Sequence, residues 1–229
     1  VSIDPKITAA TLEAVLCLPP GAIGIEYVED CAWEREWLKD FRPMRFGKKL
    51  WVSPAGQLPD QTAEVVLELD PGLAFGTGTH ATTALCLEWL DDGIKGGERV
   101  LDYGCGSGIL AIAAARLGAS RVAGVDIDPQ AVAASRYNAQ RNGVEARFSG
   151  ADDPRPEPAD VVVANILSNP LKVLAPLLAE LVLPGGHIVL SGILQPQADA
   201  VAAEYVRWFD IDPFSEREGW VRVSGVRRS

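Results

Sequence analysis

Val100-Leu101-Asp102-Tyr103-Gly104-Cys105-Gly106-Ser107-Gly108-Ile109-Leu110 decides the fold, read with Val122-Ala123-Gly124-Val125-Asp126 downstream. A short apolar run ends in Asp-x-Gly-x-Gly-x-Gly and opens into the helical segment Leu110-Ala111-Ile112-Ala113-Ala114-Ala115. A second apolar run then closes on Asp126. Glycines at a strand-to-helix turn let backbone amides come close to a ligand, because no Cβ stands in the way. An acid at the tip of the next strand, 22 positions past Gly104, is placed to accept hydrogen bonds from ribose hydroxyls. Strand, turn, helix, strand and acidic tip, in that order, predict a site for an adenosine-containing cofactor.

A dinucleotide site needs Gly-x-Gly-x-x-Gly, and counting from Gly104 places Ile109 where the third glycine belongs. The spacing Gly104, Gly106, Gly108 with Asp102 ahead resembles the first motif of class I S-adenosylmethionine-dependent methyltransferases. That cofactor has no pyrophosphate, so the loop need only wrap its methionine part and ribose. An ordinary tight turn in an α/β protein also uses glycines, but it calls for no acid at the next strand tip.

The 229 residues suffice for one large domain with a small appendage. Hydrophobic residues at 48% and charged residues at 23% read as globular. No run of about 18 apolar residues occurs, so no membrane span is expected. Val1-Ser2-Ile3-Asp4-Pro5-Lys6 lacks a basic region leading into an apolar one, so no signal peptide is expected and the chain reads as cytoplasmic. Cys17, Cys31, Cys86 and Cys105 show no CxxC spacing, which favours reduced thiols over a disulfide framework or a metal site. A net charge of −10 argues against direct nucleic-acid binding. It favours a basic partner or simply solubility. Arg217, Arg222, Arg227 and Arg228 read as a solvated edge or tail, and the chain as a monomer.

Three zones follow along the chain. Residues 1–55 hold a helical stretch (Pro5 to Leu16), a strand-like run (Ala22 to Val28) and Trp33-Glu34-Arg35-Glu36-Trp37-Leu38. Trp33, Trp37 and Phe41 share one helical face, a core-packing stripe. Residues 56–94 hold a strand-like run with Val65, Leu67 and Leu69 alternating, then Asp70-Pro71-Gly72-Leu73-Ala74-Phe75-Gly76-Thr77-Gly78-Thr79-His80-Ala81-Thr82-Thr83. The hydroxyls and amides of that string suit a lid over a polar ligand, and Thr79 is placed to cap a helix through Leu85 and Trp89.

Residues 98–229 alternate strands (98–103, 121–126, 145–149, 160–165, 186–191) with helices (107–117, 129–142, 169–181, 196–208). Two final runs, 209–216 and 219–226, are joined by Glu218-Gly219 as a hairpin. This rhythm predicts an α/β fold: a Rossmann-like, mostly parallel seven-stranded sheet with an antiparallel terminal hairpin and a short N-terminal extension. In Ala159-Asp160-Val161-Val162-Val163-Ala164-Asn165-Ile166-Leu167-Ser168-Asn169-Pro170, the strand ends at Asn165, on the same crevice as Gly104 and Asp126. Its amide can donate and accept, which suits the cofactor's methionine end or a substrate amine. A plain strand-end turn is the other reading.

Trp33-Glu34-Arg35-Glu36-Trp37, the Asp70–His80 string and Val163-Ala164-Asn165-Ile166-Leu167, together with the Asp102–Gly108 loop, closely resemble the bacterial ribosomal protein L11 methyltransferase family over about residues 30–229. The resemblance implies methyl transfer from S-adenosylmethionine to lysine ε-amines and the α-amine of L11. It implies cofactor contacts at Thr83, Gly104, Asp126 and Asn165, with Gly106 and Thr77 beside them. It further implies that residues 1–55 are a shortened substrate-recognition and linker segment ahead of a catalytic domain at 56–229.

A sulfonium methyl is an activated electrophile, so the enzyme mainly aligns an amine lone pair with it. Lysine, with a reference pKa of about 10.4, must first lose a proton, and an apolar pocket helps. Phe75 and Leu167 are candidate walls, Asn165 a candidate orienter and His80 a candidate base, though a capping or packing role also suits His80. His187 reads as structural. Methylation of another protein or small-molecule amine, and a non-catalytic cofactor-binding module, stay open.

Overall fold

The computed structural model describes residues 42–54, 63–69, 80–150 and 152–229, with short pieces at 11, 13–19, 21–24, 56, 57 and 59. The chain divides into two units, Val1–Trp37 and Leu38–Ser229. In the first, the Glu13 carboxylate accepts from the Ile23 amide at 3.0 Å and its carbonyl accepts from the Leu18 amide at 2.9 Å. The Trp33/Trp37/Phe41 stripe and the 70–79 string, with Phe75 and Thr77, lie outside the described residues.

The second unit opens with a small sheet, ordered β1 (Met44–Phe46), β2 (Leu50–Pro54), β3 (Val65–Leu69). β1 and β2 are antiparallel, and β2 and β3 parallel. β1 and β2 thus pair with β3 within the unit that begins at Leu38. Helix α1 (Ala81–Gly93) holds this sheet through one side chain. Buried Asp91 accepts from the backbone amides of Lys48 (2.6 Å), Lys49 (3.2 Å) and Leu50 (2.9 Å). At Gly47, φ is +68° and a Cβ would lie 2.4 Å from the Asp91 carboxylate, so the turn must be glycine to reach it.

The large sheet follows the alternation read from the sequence. Its strands are β4 (Arg99–Tyr103), β5 (Arg121–Val125), β6 (Arg147–Ser149), β7 (Ala159–Asn165), β8 (Val182–Leu194), β9 (Phe209–Ile211), β10 (Ser215–Arg217) and β11 (Trp220–Arg227). The order is β10-β11-β8-β7-β4-β5-β6, with β9 also paired to β11. The five strands β4 to β8 are mutually parallel, while β11 runs antiparallel to β8, β9 and β10. The sheet thus has eight strands where seven were expected. The run 209–216 splits at Pro213, which has no amide to donate to a ladder. The hairpin turn does fall at Glu218-Gly219, both with positive φ, as a two-residue turn requires.

Helices α1, α2 (Ile109–Arg116) and α3 (Pro129–Arg141) share a core with Val100, Val161 and Val163. Helices α4 (Ser168–Leu181) and α5 (Ala198–Tyr205) share another with Leu101, Val162 and Leu190. Alternate residues of β4 and β7 feed the two faces, the period-2 rule of a doubly covered sheet. Between β6 and β7 no helix intervenes, and Pro154, Pro156 and Pro158 cross instead. Of the C-terminal arginines, read as a solvated edge or tail, Arg217 and Arg228 are exposed and Arg222 and Arg227 half-buried. Arg217 pairs with Glu88 and Arg228 with Asp210, while Arg222 and Arg227 donate to backbone carbonyls.

Replacing Asp91 with Ala leaves three amides of the β1–β2 turn without their acceptor, an expected loss of about 3 kcal/mol. Urea unfolding of the two proteins measures it, and a change within error would show that water replaces the carboxylate.

Candidate functional site

The site is built where β4 turns into α2. Gly104, Gly106 and Gly108 all have positive φ (82°, 53° and 80°). The amides of Gly104 and Cys105 both donate to the Val125 carbonyl, at 2.7 and 3.0 Å, which folds the turn onto the end of β5. At Gly104 a Cβ would lie 2.4 Å from Ile166 Cγ2, and at Gly108 one would lie 2.8 Å from Ser135 Cβ. The first glycine therefore admits the end of β7, and the third admits α3. Asn138 on α3 donates to the Ser107 carbonyl at 2.9 Å and fixes the loop from below.

Asp126, half-buried at the tip of β5, accepts from the Gly106 amide (2.9 Å) and the Asp128 amide (3.0 Å), one bond per carboxylate oxygen. Its remaining lone pairs can take two vicinal hydroxyls. Across the cleft, Asn165 at the end of β7 donates through Nδ2 to Thr83 Oγ1 at 3.2 Å. Thr83 is fully buried in α1, so it positions Asn165 from behind.

A cleft of about 690 Å³ opens between these groups, lined by Gly104, Gly106, Asp126 and Asn165 with apolar Tyr103, Val125, Ile127, Ile166, Leu174 and Leu177. It lies at the carboxyl ends of β4 and β7, where the strand order reverses. A second cavity of about 680 Å³ runs from Arg99, Arg121 and Arg147 at the opposite ends of the strands to Ser149 and the Asp153–Pro156 segment, which it shares with the first cleft.

Three sequence readings shift. Helix α1 is capped by His80, not Thr79: ring Nδ1 accepts from the Thr82 amide and lies 2.8 Å from Thr82 Oγ1. The ring also stacks edge-on against Trp220, centroids 4.9 Å apart. A ring nitrogen can accept as a side-chain oxygen does, which is how histidine takes the cap position. Leu167 is 68% exposed as the cap residue of α4, while its neighbour Ile166 lines the cleft. The single-residue shift arises because the chain turns out of the sheet after Asn165.

Asp102 had been read only as part of the glycine motif. It is fully buried on β4, with Oδ2 accepting from the Ala111 amide at 3.1 Å and Oδ1 holding no partner. Burial pushes its carboxyl up to about 7; the Ala111 amide opposes this and the Asp126 charge adds to it. Burial likewise pushes the Cys86 thiol up to about 12 and raises Cys105, so both are unreactive packing groups.

Comparison with known proteins decides the family. Residues 3–228 match the family profile described as "Ribosomal protein L11 methyltransferase (PrmA)". The ribosomal protein L11 methyltransferase of Pectobacterium carotovorum subsp. carotovorum is 58% identical over 209 residues, spanning 90% of this chain and 70% of that protein. Its namesake in Pseudomonas aeruginosa is 59% identical over 209 residues, spanning 90% and 71%. The crystal structure of a ribosomal protein L11 methylase from Lactobacillus delbrueckii subsp. bulgaricus superposes with a TM-score of 0.74 at 30% identity, over 82% of this chain and all of that one. The chain belongs to the ribosomal protein L11 methyltransferase family. It spans about 70% of the length of the curated relatives it matches.

Members of this family take their methyl group from S-adenosylmethionine, and the residues present fit that cofactor. Three side-chain-free turn positions leave room for a close backbone approach, and Asp126 suits a ribose. The apolar flank of the cleft suits an adenine, and the arginine in its lining, Arg155, pairs with Glu180. Among the described residues, no cluster of metal-ligating side chains and no helix long and apolar enough to cross a membrane occurs.

Gly104→Ala should abolish detectable cofactor binding while leaving a folded protein, because the new methyl group meets Ile166 in a left-handed backbone position. Asp126→Ala should weaken binding by about 1.5–3 kcal/mol. Calorimetric titration reads both, and unchanged affinity in either would remove that residue from the cofactor site. Asp102 adds a pH dependence of stability. Its folded pKa lies above that of the unfolded chain, so its contribution is complete below pH ~4 and is lost as pH rises through about 7. Asp102→Asn should therefore gain Tm relative to the parent between pH 5 and 8, read by thermal melts.

Proposed function

We propose that this chain transfers methyl groups from S-adenosylmethionine to lysine ε-amines and the α-amine of ribosomal protein L11, working as a monomer in the cytoplasm. The observation that carries this reading is one cleft bounded on one side by the Gly104–Asp126 cradle and on the other by Asn165, in a chain that matches the family over nearly its whole length. When bound, the cofactor supplies an activated methyl group, and the protein's share of the work is alignment and dehydration.

In this reading the residues divide the work as follows, with Thr77 and Phe75 assigned by the family resemblance alone. Gly104, Gly106 and Asp126 hold the cofactor, with Thr77 from the string before α1 and Thr83 acting through Asn165. Asn165 gives its Nδ2 to Thr83, which leaves the amide oxygen to accept from an incoming amine and turn its lone pair toward the methyl. Ile166 forms one wall, and Phe75, by the family resemblance, is a further candidate wall for the substrate's stem. An apolar enclosure lowers an amine's pKa, so the lysine enters neutral. His80 spends its Nδ1 lone pair on the helix cap, so a role as base there would cost the cap. The net charge of −10 favours a basic substrate such as a lysine-rich protein.

The test mixes the protein with methyl-labelled cofactor and purified L11 and follows label and added methyl mass on L11. Label on L11 supports the reading. Label on another protein or a small amine moves the substrate, and tight cofactor binding with no transfer to any amine leaves a binding module. Asn165→Ala should lower kcat/KM for L11 by ~100-fold, with cofactor affinity changed far less, because alignment and not binding is lost. Equal losses in both would make Asn165 a cofactor ligand only.

A further inference from the structure

Asp102 is the buried ionisable group for which the proposed chemistry has no use. It sits one residue from the end of β4, beneath the glycine turn, with no access to solvent. One oxygen receives a single backbone amide from the first turn of α2, and the other is buried with no partner. Such a place disfavours a carboxylate far more than a neutral, protonated carboxyl. The groups around it give it no cation. Asp126, on the neighbouring strand, is an anion that acts against its ionisation. Cys105 in the turn and Cys86 on α1 both feel its charge and are themselves neutral thiols. Arg222 of β11 acts on Cys86 and donates to Leu85 and Ser215, so its charge serves the far side of that thiol.

We infer that Asp102 holds a proton in the cofactor-free protein and releases it to solvent when S-adenosylmethionine binds the turn above it. This rests on the cofactor reading given above. S-adenosylmethionine carries a sulfonium and an ammonium against one carboxylate, a net positive charge. After methyl transfer the sulfonium becomes a neutral thioether, and the net charge is gone. A cation entering the cleft favours the ionised form of a nearby acid by Coulomb attraction in a poorly solvated site. The ionised Asp102 in turn makes a charge-assisted bond to the Ala111 amide, which tightens the first turn of α2 under the cofactor. Loss of the sulfonium charge weakens that preference and lets the proton return, so the turn distinguishes substrate from product by charge. Asp102 is thus a positioning residue.

Calorimetric titration in two buffers of different ionisation enthalpy counts the protons released. At pH 6.5 the parent protein should release roughly half a proton or more per S-adenosylmethionine bound and clearly less per S-adenosylhomocysteine. Its affinity for S-adenosylmethionine should rise several-fold, at most about tenfold, between pH 6 and 7.5. Asp102→Asn, which mimics the protonated acid, should remove both effects. The cofactor's own amine titrates alike with both proteins, so their difference isolates Asp102. Binding by the parent with no proton release, or equal release by the variant, overturns the inference and leaves the cofactor reading intact. Failure of S-adenosylmethionine to bind the parent at all overturns both. Should the variant not fold, the parent's proton count and its contrast between the two ligands decide alone.

Discussion

The turn from β4 into α2 has no space for a side chain at Gly104 or Gly108, and the site depends on that. Three elements close on it at once: the end of β7 through Ile166 at Gly104, α3 through Ser135 at Gly108, and β5 through paired amides to the Val125 carbonyl. On the next strand, Gly124 admits Phe148 and Cys105, where a Cβ would meet the Phe148 ring at 2.6 Å. A substituted turn would push these apart by more than an ångström and open the crevice that the strand reversal provides. Positive φ at each turn glycine adds a second reason, because other residues pay strain there. Close approach and backbone conformation thus point to the same residue type.

Much of this could be read in the chain because it is encoded locally. Alternation of apolar runs with helical segments gave the parallel sheet. The three glycines gave the turn, and Glu218-Gly219 gave the hairpin. What escaped notice depends on partners far away in sequence. Asp91 looks like a solvated helix residue until amides more than forty positions earlier fold against it. Arg222 looks like part of a charged tail, yet β11 lies against α1 and the side chain reaches the Leu85 carbonyl. Ile166 and Leu167 are neighbours of equal hydrophobicity, and only the direction of the turn after Asn165 decides which one faces the cleft. The cap at His80 was hidden by a more usual capping residue immediately before it.

The site's electrostatics differ from the surface's. A chain with a net charge of −10 repels anions and draws basic proteins from a distance, an effect set by surface carboxylates and reduced by salt. Inside the crevice the count is smaller and works at shorter range. Asp126 is half-buried and receives two backbone amides, whereas Asp102 is fully buried and receives one, and its burial pushes its carboxyl up to about 7. Two carboxyl groups on adjacent parallel strands thereby differ in their number of donors and their access to water.

In the proposed function the two halves of the reaction fall on different strands, and this places a demand on the sheet. The cofactor cradle hangs from β4 and β5, while Asn165 ends β7, hydrogen-bonded to Thr83 of α1. In-line transfer requires the amine and the methyl to meet within a few tenths of an ångström, so the spacing of β4 and β7 must be fixed. Three backbone registers, Val100 to Val161, Leu101 to Val162 and Asp102 to Val163, set that spacing below the cleft. The contact of Gly104 with Ile166 sets it at the rim. The Asn165–Thr83 bond then ties the rim to α1, whose other end carries Asp91 and the small sheet. A loosened Asn165 side chain would leave the cradle's own bonds in place, since those run to the Val125 carbonyl, Asp126 and Asn138. Cofactor affinity and amine alignment are therefore separable properties of this fold, with alignment being the one that depends on how β4, β7 and α1 are held together.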